Sequence, residues 1–275
     1  MTTSFLFPGQ GSQTVGMGAD ILKNSNAAKL VLEETDSTLD TSISKLIYEG
    51  PISELTRSEN AQPAILSISI AILYAAKEYQ NIPDPAFYAG HSVGEYSALV
   101  ASNSLSLADG LRLVRKRGQL MHDAIKPNLS GMAALIGLNA KKIDEIINNE
   151  NLNVYIANDN SPKQIVISGM IDDITNSKDF FLNNDVKRFI PLNVSAAFHC
   201  NIMLEAQKKL KDFIDRTTFH NTDVSIISNF SGKISNETSN IKWSLVNQMA
   251  NKVRWTESID SLGKINDFNI IEVGP

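Results

Sequence analysis

Residues 90–94, Gly-His-Ser-Val-Gly, place a serine between two glycines in the pattern G-x-S-x-G. The apolar run "AFYAG" predicts a strand just before Ser92, and a helix is predicted to begin near Glu95. On such a turn the strained backbone exposes the serine Oγ, and the glycines let strand and helix approach closely. The free N–H groups at the start of the helix, including that of Val93, would face negative charge that develops beside the serine. This context favours a catalytic nucleophile over a glycine-rich turn that happens to hold a hydroxyl.

A serine nucleophile needs a base, and the chain has four histidines. His91 adjoins the serine but leaves the turn in another direction, so we assign it to packing. His122 lies on a predicted long helix and His220 in a polar segment, and both are predicted to be surface residues. His199 lies where a strand ends and a helix begins, so elimination makes it the candidate base. The neighbouring Cys200 is predicted to be a buried thiol.

The segment "FPGQGSQ" follows the first predicted strand and contains two glycines around Gln10. It lacks the third glycine of a dinucleotide fingerprint, because position 14 is threonine, and it lacks the Gly-Lys-Ser/Thr of a phosphate loop. A loop beside the nucleophile that offers an amide or N–H group is what an oxyanion hole requires. The segment is therefore a candidate for that role.

Four basic residues crowd one stretch of the long helix: Arg112, Arg115, Lys116 and Arg117. We interpret the first three as a solvated face. An arginine that faces the serine would suit an acyl group with a carboxylate of its own, because a guanidinium binds a carboxylate through two parallel hydrogen bonds. Arg117 is the candidate for this contact.

The composition limits the classes of function. The 275 residues are 43% hydrophobic and 20% charged, and the formal net charge of −5 argues against general nucleic-acid affinity. A single cysteine excludes an intramolecular disulfide and a cysteine-based zinc site. The N-terminus has no basic region, and the longest apolar stretch, "PAILSISIAILYAA", is too short to span a bilayer. We expect a cytoplasmic enzyme or binding protein without a membrane partner.

Strand-like and helical stretches alternate along the chain, which predicts an α/β fold. Helices are predicted at about 27–39, 61–79 and 107–125. From Gly131 the order of elements is βαββαβ, ending in the strand "VKRFIPLNV", which is the ferredoxin-like arrangement. It predicts a small domain inserted into a larger one. After His199 we expect a helix, the strand "VSIISNF", one further helix and the strand "NIIEV".

Seven segments in this order resemble the malonyl-CoA:acyl carrier protein transacylase family, and they run nearly the whole length of the chain. The resemblance implies an α/β-hydrolase-like domain with a central, mainly parallel sheet at 1–127 and 197–275, and a ferredoxin-like insert at 128–196. The site would lie between the two. The matching segments are "FPGQGSQ" (7–13), "AQPAIL" (61–66), "GHSVGEYSAL" (90–99), "RKRGQLM" (115–121), "NSPKQIVISG" (160–169), "VSAAFHC" (194–200) and "EVGP" (272–275).

The resemblance also implies an activity. The family transfers a malonyl group from malonyl-CoA to the phosphopantetheine thiol of acyl carrier protein through a malonyl-serine, in ping-pong fashion, for fatty acid synthesis. No metal or redox cofactor is expected, because donor and product are both thioesters of similar energy. The expected protein is a cytoplasmic monomer whose partners are malonyl-CoA and holo acyl carrier protein.

Carried over position by position, the resemblance makes Ser92 the nucleophile and His199 its general base and acid. Val93 N–H and Gln10 would form the oxyanion hole, and Arg117 would bind the malonyl carboxylate. Gln248 matches the residue whose main-chain carbonyl would orient the histidine in place of a triad acid. Gln62 and Asn160 match polar pocket residues, and the bulk of Phe198 would exclude an α-methyl group.

Three departures from the family pattern accompany these matches. Lys252 stands where the family usually has proline, and "AAFH" lacks the polar first residue of many polyketide acyltransferases. The family continues past "EVGP" with a glycine-containing turn and further helices, so the sequence either is a fragment or lacks this cover, and a packing face left bare there would lower stability.

Other interpretations stay open at this stage. A freestanding polyketide-type acyltransferase, a serine hydrolase or thioesterase, and an inactive carrier-binding module share parts of the pattern. Because carrier proteins are acidic and the chain is itself net acidic, docking would need a local basic patch. The helix after His199 offers Lys208, Lys209 and Lys211, which equally fit an ordinary solvated face.

Overall fold

The computed structural model describes residues 2–79, 82–126, 128–194, 196–263 and 268–275. The expected domain boundary at Pro127 and Ser195 of "VSAAFHC" lie outside these residues. Within them, no helix is both long and apolar enough to cross a membrane.

The described residues form two sheets and the helices that cover them. The strands are β1 Thr2–Phe7, β2 Phe87–Gly90, β3 Ser130–Ile136, β4 Val154–Ser161, β5 Gln164–Met170, β6 Arg188–Pro191, β7 Ser225–Ile227, β8 Ile234–Ser235 and β9 Phe268–Glu272. The α-helices are α1 Ala19–Asn24, α2 Asn26–Leu39, α3 Ile43–Glu49, α4 Ile52–Leu55, α5 Ser58–Tyr79, α6 Gly94–Ala101, α7 Leu107–Asp123, α8 Ala140–Asn149, α9 Ile171–Asn183, α10 Leu204–Arg216, α11 Thr238–Val246 and α12 Trp255–Gly263.

The larger sheet has the strand order β8-β7-β2-β1-β9, and its neighbouring strands are parallel except for the β7–β8 pair. Phe7 at the end of β1 lies beside Gly90 at the end of β2. Because parallel strands end at the same edge of a sheet, the segments that follow them leave side by side. The loop with Gln10 and the turn with Ser92 therefore meet at this edge.

The smaller sheet has the order β4-β5-β3-β6 and is antiparallel throughout. Together with α8 and α9 it has the predicted βαββαβ order. Side chains of β3 alternate between two cores, since successive residues of a strand face opposite sides. Ala133 and Leu135 pack in the core of the small sheet, whereas Met132 and Ala134 belong to the larger core. The exact bounds of the inserted domain stay a prediction.

Helix α5 is buried along most of its length and packs against α7. The buried residues of α7 recur every three or four positions, as on an amphipathic helix, and Arg117 lies on this buried face. Arg112 is exposed, as predicted. Arg115 and Lys116 are half-buried, so the prediction of a solvated face is wrong for them: Arg115 donates to the Glu59 carbonyl, and the Lys116 Nζ lies 5.0 Å from the centre of the Phe213 ring.

Several elements differ from the sequence-based expectations. The last strand of the small sheet, predicted over "VKRFIPLNV", covers only Arg188–Pro191. The single helix predicted between "VSIISNF" and "NIIEV" is two helices, α11 and α12. The segment between them brings Gln248 to the site, so this break in the helix has a functional consequence.

Candidate active site

Ser92 lies on the turn between β2 and α6, with a left-handed φ of +54°. A Cβ atom on Gly90 would lie 1.9 Å from the main-chain carbon of Gly94, and one on Gly94 would lie 2.3 Å from the Phe7 carbonyl oxygen. Only glycine fits at both positions. The turn predicted from the G-x-S-x-G pattern is thus present, with the close approach of strand and helix that it requires.

Ser92 and His199 are in direct contact. The Ser92 Oγ lies 2.8 Å from the His199 Nε2, and the His199 Nδ1 lies 3.1 Å from the main-chain oxygen of Gln248. A carbonyl oxygen only accepts, so the Nδ1 carries the proton and the Nε2 lone pair faces the serine. Burial, with the positive charge of Arg117 as a second cause, lowers the pKa of His199 to about 3. The imidazole is therefore neutral and able to accept the serine proton.

Arg117 is 1% exposed and faces the serine. Its Nη2 donates to the Ser92 Oγ at 3.0 Å and to the Gln248 Oε1 at 3.0 Å, and its Nη1 donates to the Gln62 Oε1 at 2.8 Å. The face of the Tyr96 ring lies 5.6 Å from the guanidinium carbon. The two glutamine oxygens hold this buried cation against the Ser92 Oγ, behind the residues that line the cavity described below.

The oxyanion positions implied by the family resemblance are the main-chain N–H of Val93 and the residue Gln10. Among the hydrogen bonds of the described residues, none uses the N–H of Val93 or of Gln10. The side-chain amide of Gln10 donates to the Ser58 Oγ at 3.2 Å, so this side chain already has a partner. The main-chain groups at the two predicted oxyanion positions are the donors that remain available.

A cavity of about 240 Å³ opens beside Ser92 and His199, between the two sheets. The predicted pocket residues Asn160 and Phe198 line it, whereas Gln62 lies behind the wall and contacts Arg117 and the Met121 sulfur. The wall from the small sheet consists of Met132, Ala134, Asn158, Gln164 and Val166, and the segment after β6 adds Leu192, Asn193 and Val194.

His91 packs edge-on against Trp255, with ring centroids 5.4 Å apart, so the assignment to packing is correct. It also lines the cavity, and its Nε2 lies 2.8 Å from the Asn160 Oδ1. Cys200 is buried as predicted, and burial raises the pKa of its thiol to about 11. His220 is exposed as predicted, but His122 is half-buried.

Sequence reasoning missed Glu95, which is 1% exposed. Its Oε2 accepts from the Gln248 Nε2 at 2.7 Å and from the Asn229 main-chain N–H at 3.2 Å. Burial raises the pKa of this carboxyl to about 7, against the hydrogen bond from Gln248, which lowers it. Its place three residues after the serine in "GHSVGE" was the signal, but an acid in the first turn of a helix is also what the helix dipole favours.

Asn229 was also missed, and it holds the serine turn from the end of β7. Its Oδ1 accepts from the Ser92 N–H at 2.6 Å, and its Nδ2 donates to the Gly90 carbonyl at 2.7 Å. No local pattern in "IISNF" indicates this role, because its partners lie more than a hundred residues earlier in the chain.

The lysines proposed as a docking patch lie on α10 and are exposed. Lys208 pairs with Glu205 at 2.6 Å, and Lys211 pairs with Asp215. These carboxylates offset much of the local positive charge of α10. The pairing favours the interpretation of this helix surface as an ordinary solvated face rather than a docking patch.

Comparison with known proteins gives consistent matches over the whole chain. The acyl transferase domain family matches residues 4–275. The malonyl CoA-acyl carrier protein transacylase of Bacillus subtilis (strain 168) is 44% identical over 275 residues, which covers 99% of this chain and 86% of that protein. The polyketide biosynthesis malonyl CoA-acyl carrier protein transacylase BaeC of Bacillus velezensis is 38% identical over 274 residues, with 99% and 92% covered.

A solved structure shows the same fold. The complex of a type II PKS acyl-carrier protein with its malonyl-transacylase (PlMCAT:AntF) matches with a TM-score of 0.95 at 33% identity, covering 100% of this chain and 89% of that one.

Proposed function

The chain belongs to the acyl transferase domain family, and we propose that it transfers a malonyl group from malonyl-CoA to the phosphopantetheine thiol of an acyl carrier protein. One observation carries the proposal: the Ser92 Oγ is hydrogen-bonded both to the neutral His199 and to the buried Arg117. A general serine hydrolase has no use for that cation, whereas an acyl donor that ends in a carboxylate does. The similar proteins named as malonyl transacylases support the same substrate.

In the first half-reaction the Ser92 Oγ attacks the thioester carbon of malonyl-CoA, and its proton moves to the His199 Nε2. The main-chain N–H groups of Val93 and Gln10 stabilise the oxyanion of the tetrahedral intermediate. The C–S bond then breaks, and the CoA sulfur takes the proton from His199. CoA leaves as a thiol, and malonyl remains as an ester of Ser92.

The second half-reaction reverses these steps with a new thiol. The carrier's pantetheine thiol gives its proton to His199, and its sulfur attacks the ester carbon. The C–O bond breaks, and the Ser92 Oγ leaves with the proton from His199. Arg117 holds the malonyl carboxylate throughout, exchanging its contact with the Ser92 Oγ for a paired contact with both carboxylate oxygens.

Arg117 also links substrate binding to the strength of the base. Its charge is the second cause, after burial, of the low pKa of His199. A carboxylate bound beside the guanidinium offsets that charge, so the pKa of His199 rises and the histidine becomes a stronger base when a malonyl donor is present.

The chemistry needs no metal or redox cofactor, because both donor and product are thioesters. We place the reaction in the cytoplasm and in a monomer, with malonyl-CoA and a holo carrier protein as partners and with neither nucleic acid nor membrane. Supply of extender units for fatty acid synthesis fits the Bacillus subtilis relative. Polyketide assembly is the second candidate, since BaeC is 38% identical to the chain. The chemistry is the same in both, and only the carrier differs.

The test is intact-protein mass after brief exposure to malonyl-CoA, followed by addition of holo carrier protein. The wild type is expected to gain one malonyl group and to pass it to the carrier, and Ser92→Ala to gain none. Hydrolysis of malonyl-CoA without transfer would instead support a hydrolase. A wild type that neither forms the adduct nor consumes malonyl-CoA would overturn the proposal.

A further inference from the structure

Glu95 is a buried carboxylate that takes no part in the steps above. It contacts neither Ser92 Oγ nor His199, but its Oε2 lies 2.7 Å from the Nε2 of Gln248. Gln248 in turn contacts the base and the cation of the site: its main-chain oxygen accepts from His199, and its Oε1 accepts from Arg117. Glu95 therefore reaches Arg117 and His199 through Gln248, whereas its contact with the Asn229 N–H leads to the serine turn, which both acyl donors use alike.

The orientation of the Gln248 amide decides whether it can hold Arg117. A guanidinium only donates hydrogen bonds and a carboxylate only accepts them, so the amide must turn its oxygen to Arg117 and its nitrogen to Glu95. The two Nε2 hydrogens are used by Glu95 and by the Ser92 carbonyl, at 2.7 Å and 2.9 Å. A rotated amide would place its NH2 group against the guanidinium and release it from Ser92.

We propose that Glu95 is a positioning residue that fixes the Gln248 amide in the orientation that aims Arg117 at the carboxylate of the acyl donor. The inference rests on the proposed malonyl transfer. It makes Glu95 a determinant of acyl-group selectivity, because a donor without the carboxylate gains nothing from a correctly aimed Arg117.

A second cavity, of about 300 Å³, reaches Glu95 from the side away from Ser92. Ser228, Lys233 and Trp243 are among its lining residues. Because there is space on this side, a methionine of similar length at position 95 can be accommodated without overpacking. Glu95→Met then removes the acceptor with little change of volume.

The test compares serine acylation by malonyl-CoA and by acetyl-CoA, at about pH 8, where the carboxyl with its pKa of about 7 is ionised. We expect Glu95→Met to lower kcat/KM for malonyl-CoA about 10- to 100-fold, the loss of one hydrogen bond to a charged group. The value for acetyl-CoA should fall much less. Glu95→Gln should restore most of the malonyl preference, because its amide oxygen can still accept from Gln248.

A matched control is Glu59→Met, which removes another buried glutamate that pairs with Arg57 and contacts neither Gln248 nor Arg117. It should leave the malonyl-to-acetyl ratio, which is kcat/KM for malonyl-CoA divided by kcat/KM for acetyl-CoA, unchanged, whatever it does to the melting temperature. Gln248→Met removes the acceptor for Arg117 directly and should lower the ratio by itself. Adding Glu95→Met to Gln248→Met should lower it no further, because Glu95 acts through Gln248.

An unchanged ratio in Glu95→Met, an equal fall with both donors, or failure of Glu95→Gln to restore the preference would overturn the inference. If Glu95→Met does not fold, Glu95→Leu and Glu95→Ala, which also remove the acceptor for Gln248, take its place in the same comparison of malonyl-CoA with acetyl-CoA. These failures differ from failure of the proposed function, in which the wild type itself forms no malonyl adduct.

Discussion

Removal of the Arg117 guanidinium tests the substrate assignment most directly. Two hydrogen bonds between a guanidinium and a carboxylate contribute about 1.5–3 kcal/mol each, or about 3–6 kcal/mol together. At about 1.4 kcal/mol for each factor of ten, Arg117→Ala should lower kcat/KM for malonyl-CoA about 10²- to 10⁴-fold. Acetyl-CoA has no carboxylate and makes no such contact with Arg117, so kcat/KM for its acylation of Ser92 should fall far less. The preference for malonyl-CoA over acetyl-CoA should then reverse.

The assay is the rate of acyl-serine formation with each donor, read by intact mass under single-turnover conditions. Arg112→Ala is the matched control, because Arg112 lies on the same helix but is exposed and pairs with Asp109 rather than with a residue of the site. It should change both rates by less than about twofold. An equal loss of malonyl and acetyl transfer in Arg117→Ala would refute the reasoning, since it would show that Arg117 supports the serine rather than the substrate.

Two further predictions concern the base and the serine turn. Because burial lowers the pKa of His199 to about 3 in the protein without a donor, kcat/KM for serine acylation in the Glu95→Gln variant, which lacks the Glu95 carboxyl, should stay constant from about pH 8 to pH 5, since kcat/KM reports the pKa of the free enzyme; a value that halves near pH 6.5 would contradict this. Gly94→Ala would place a Cβ 2.3 Å from the Phe7 carbonyl oxygen, so the free energy of unfolding measured in urea should fall by about 2–4 kcal/mol. Gly263→Ala is its control, because the added Cβ would have no atom of the described residues within 4 Å outside its own helix and chain neighbours, and an equal loss there would remove the steric explanation.

Much of the fold could be predicted because local pattern and tertiary structure agree. The βαββαβ order of the small sheet follows from strands and helices with clear apolar spacing, and their ranges match closely except for the last strand, which covers only Arg188–Pro191. The short helices α1, α3 and α4 were not predicted, since four to seven residues carry too little periodicity. The break between α11 and α12 was also missed, because residues 247–254 contain no proline or glycine to mark it.

The residues of the site also divide into those that a local sequence pattern marks and those that it does not. Ser92 and Val93 are marked by a local pattern, and His199 could be found by elimination among four histidines. Gln248 needed the family resemblance, since its useful group is a main-chain oxygen that any residue carries. Asn229 could not be found from the sequence, because its three contacts with the serine turn and Glu95 exist only after β7 has paired beside β2. Arg117 lies against the serine as predicted, although its neighbours made a solvated face the simpler interpretation, and its contact with an acyl carboxylate stays a prediction.

The left-handed backbone at the serine recurs at the base, since His199 has a φ of +57°. Each such conformation costs a non-glycine residue on the order of 1 kcal/mol or more, and here both reacting residues carry it. At Ser92 and His199 the backbone conformation that the residue type prefers is thus different from the one that the site requires. Selection for stability alone would replace Ser92 or His199 by glycine or asparagine, so the site persists only because the surrounding network outweighs its strain. Stabilising changes are accordingly to be sought far from this pair.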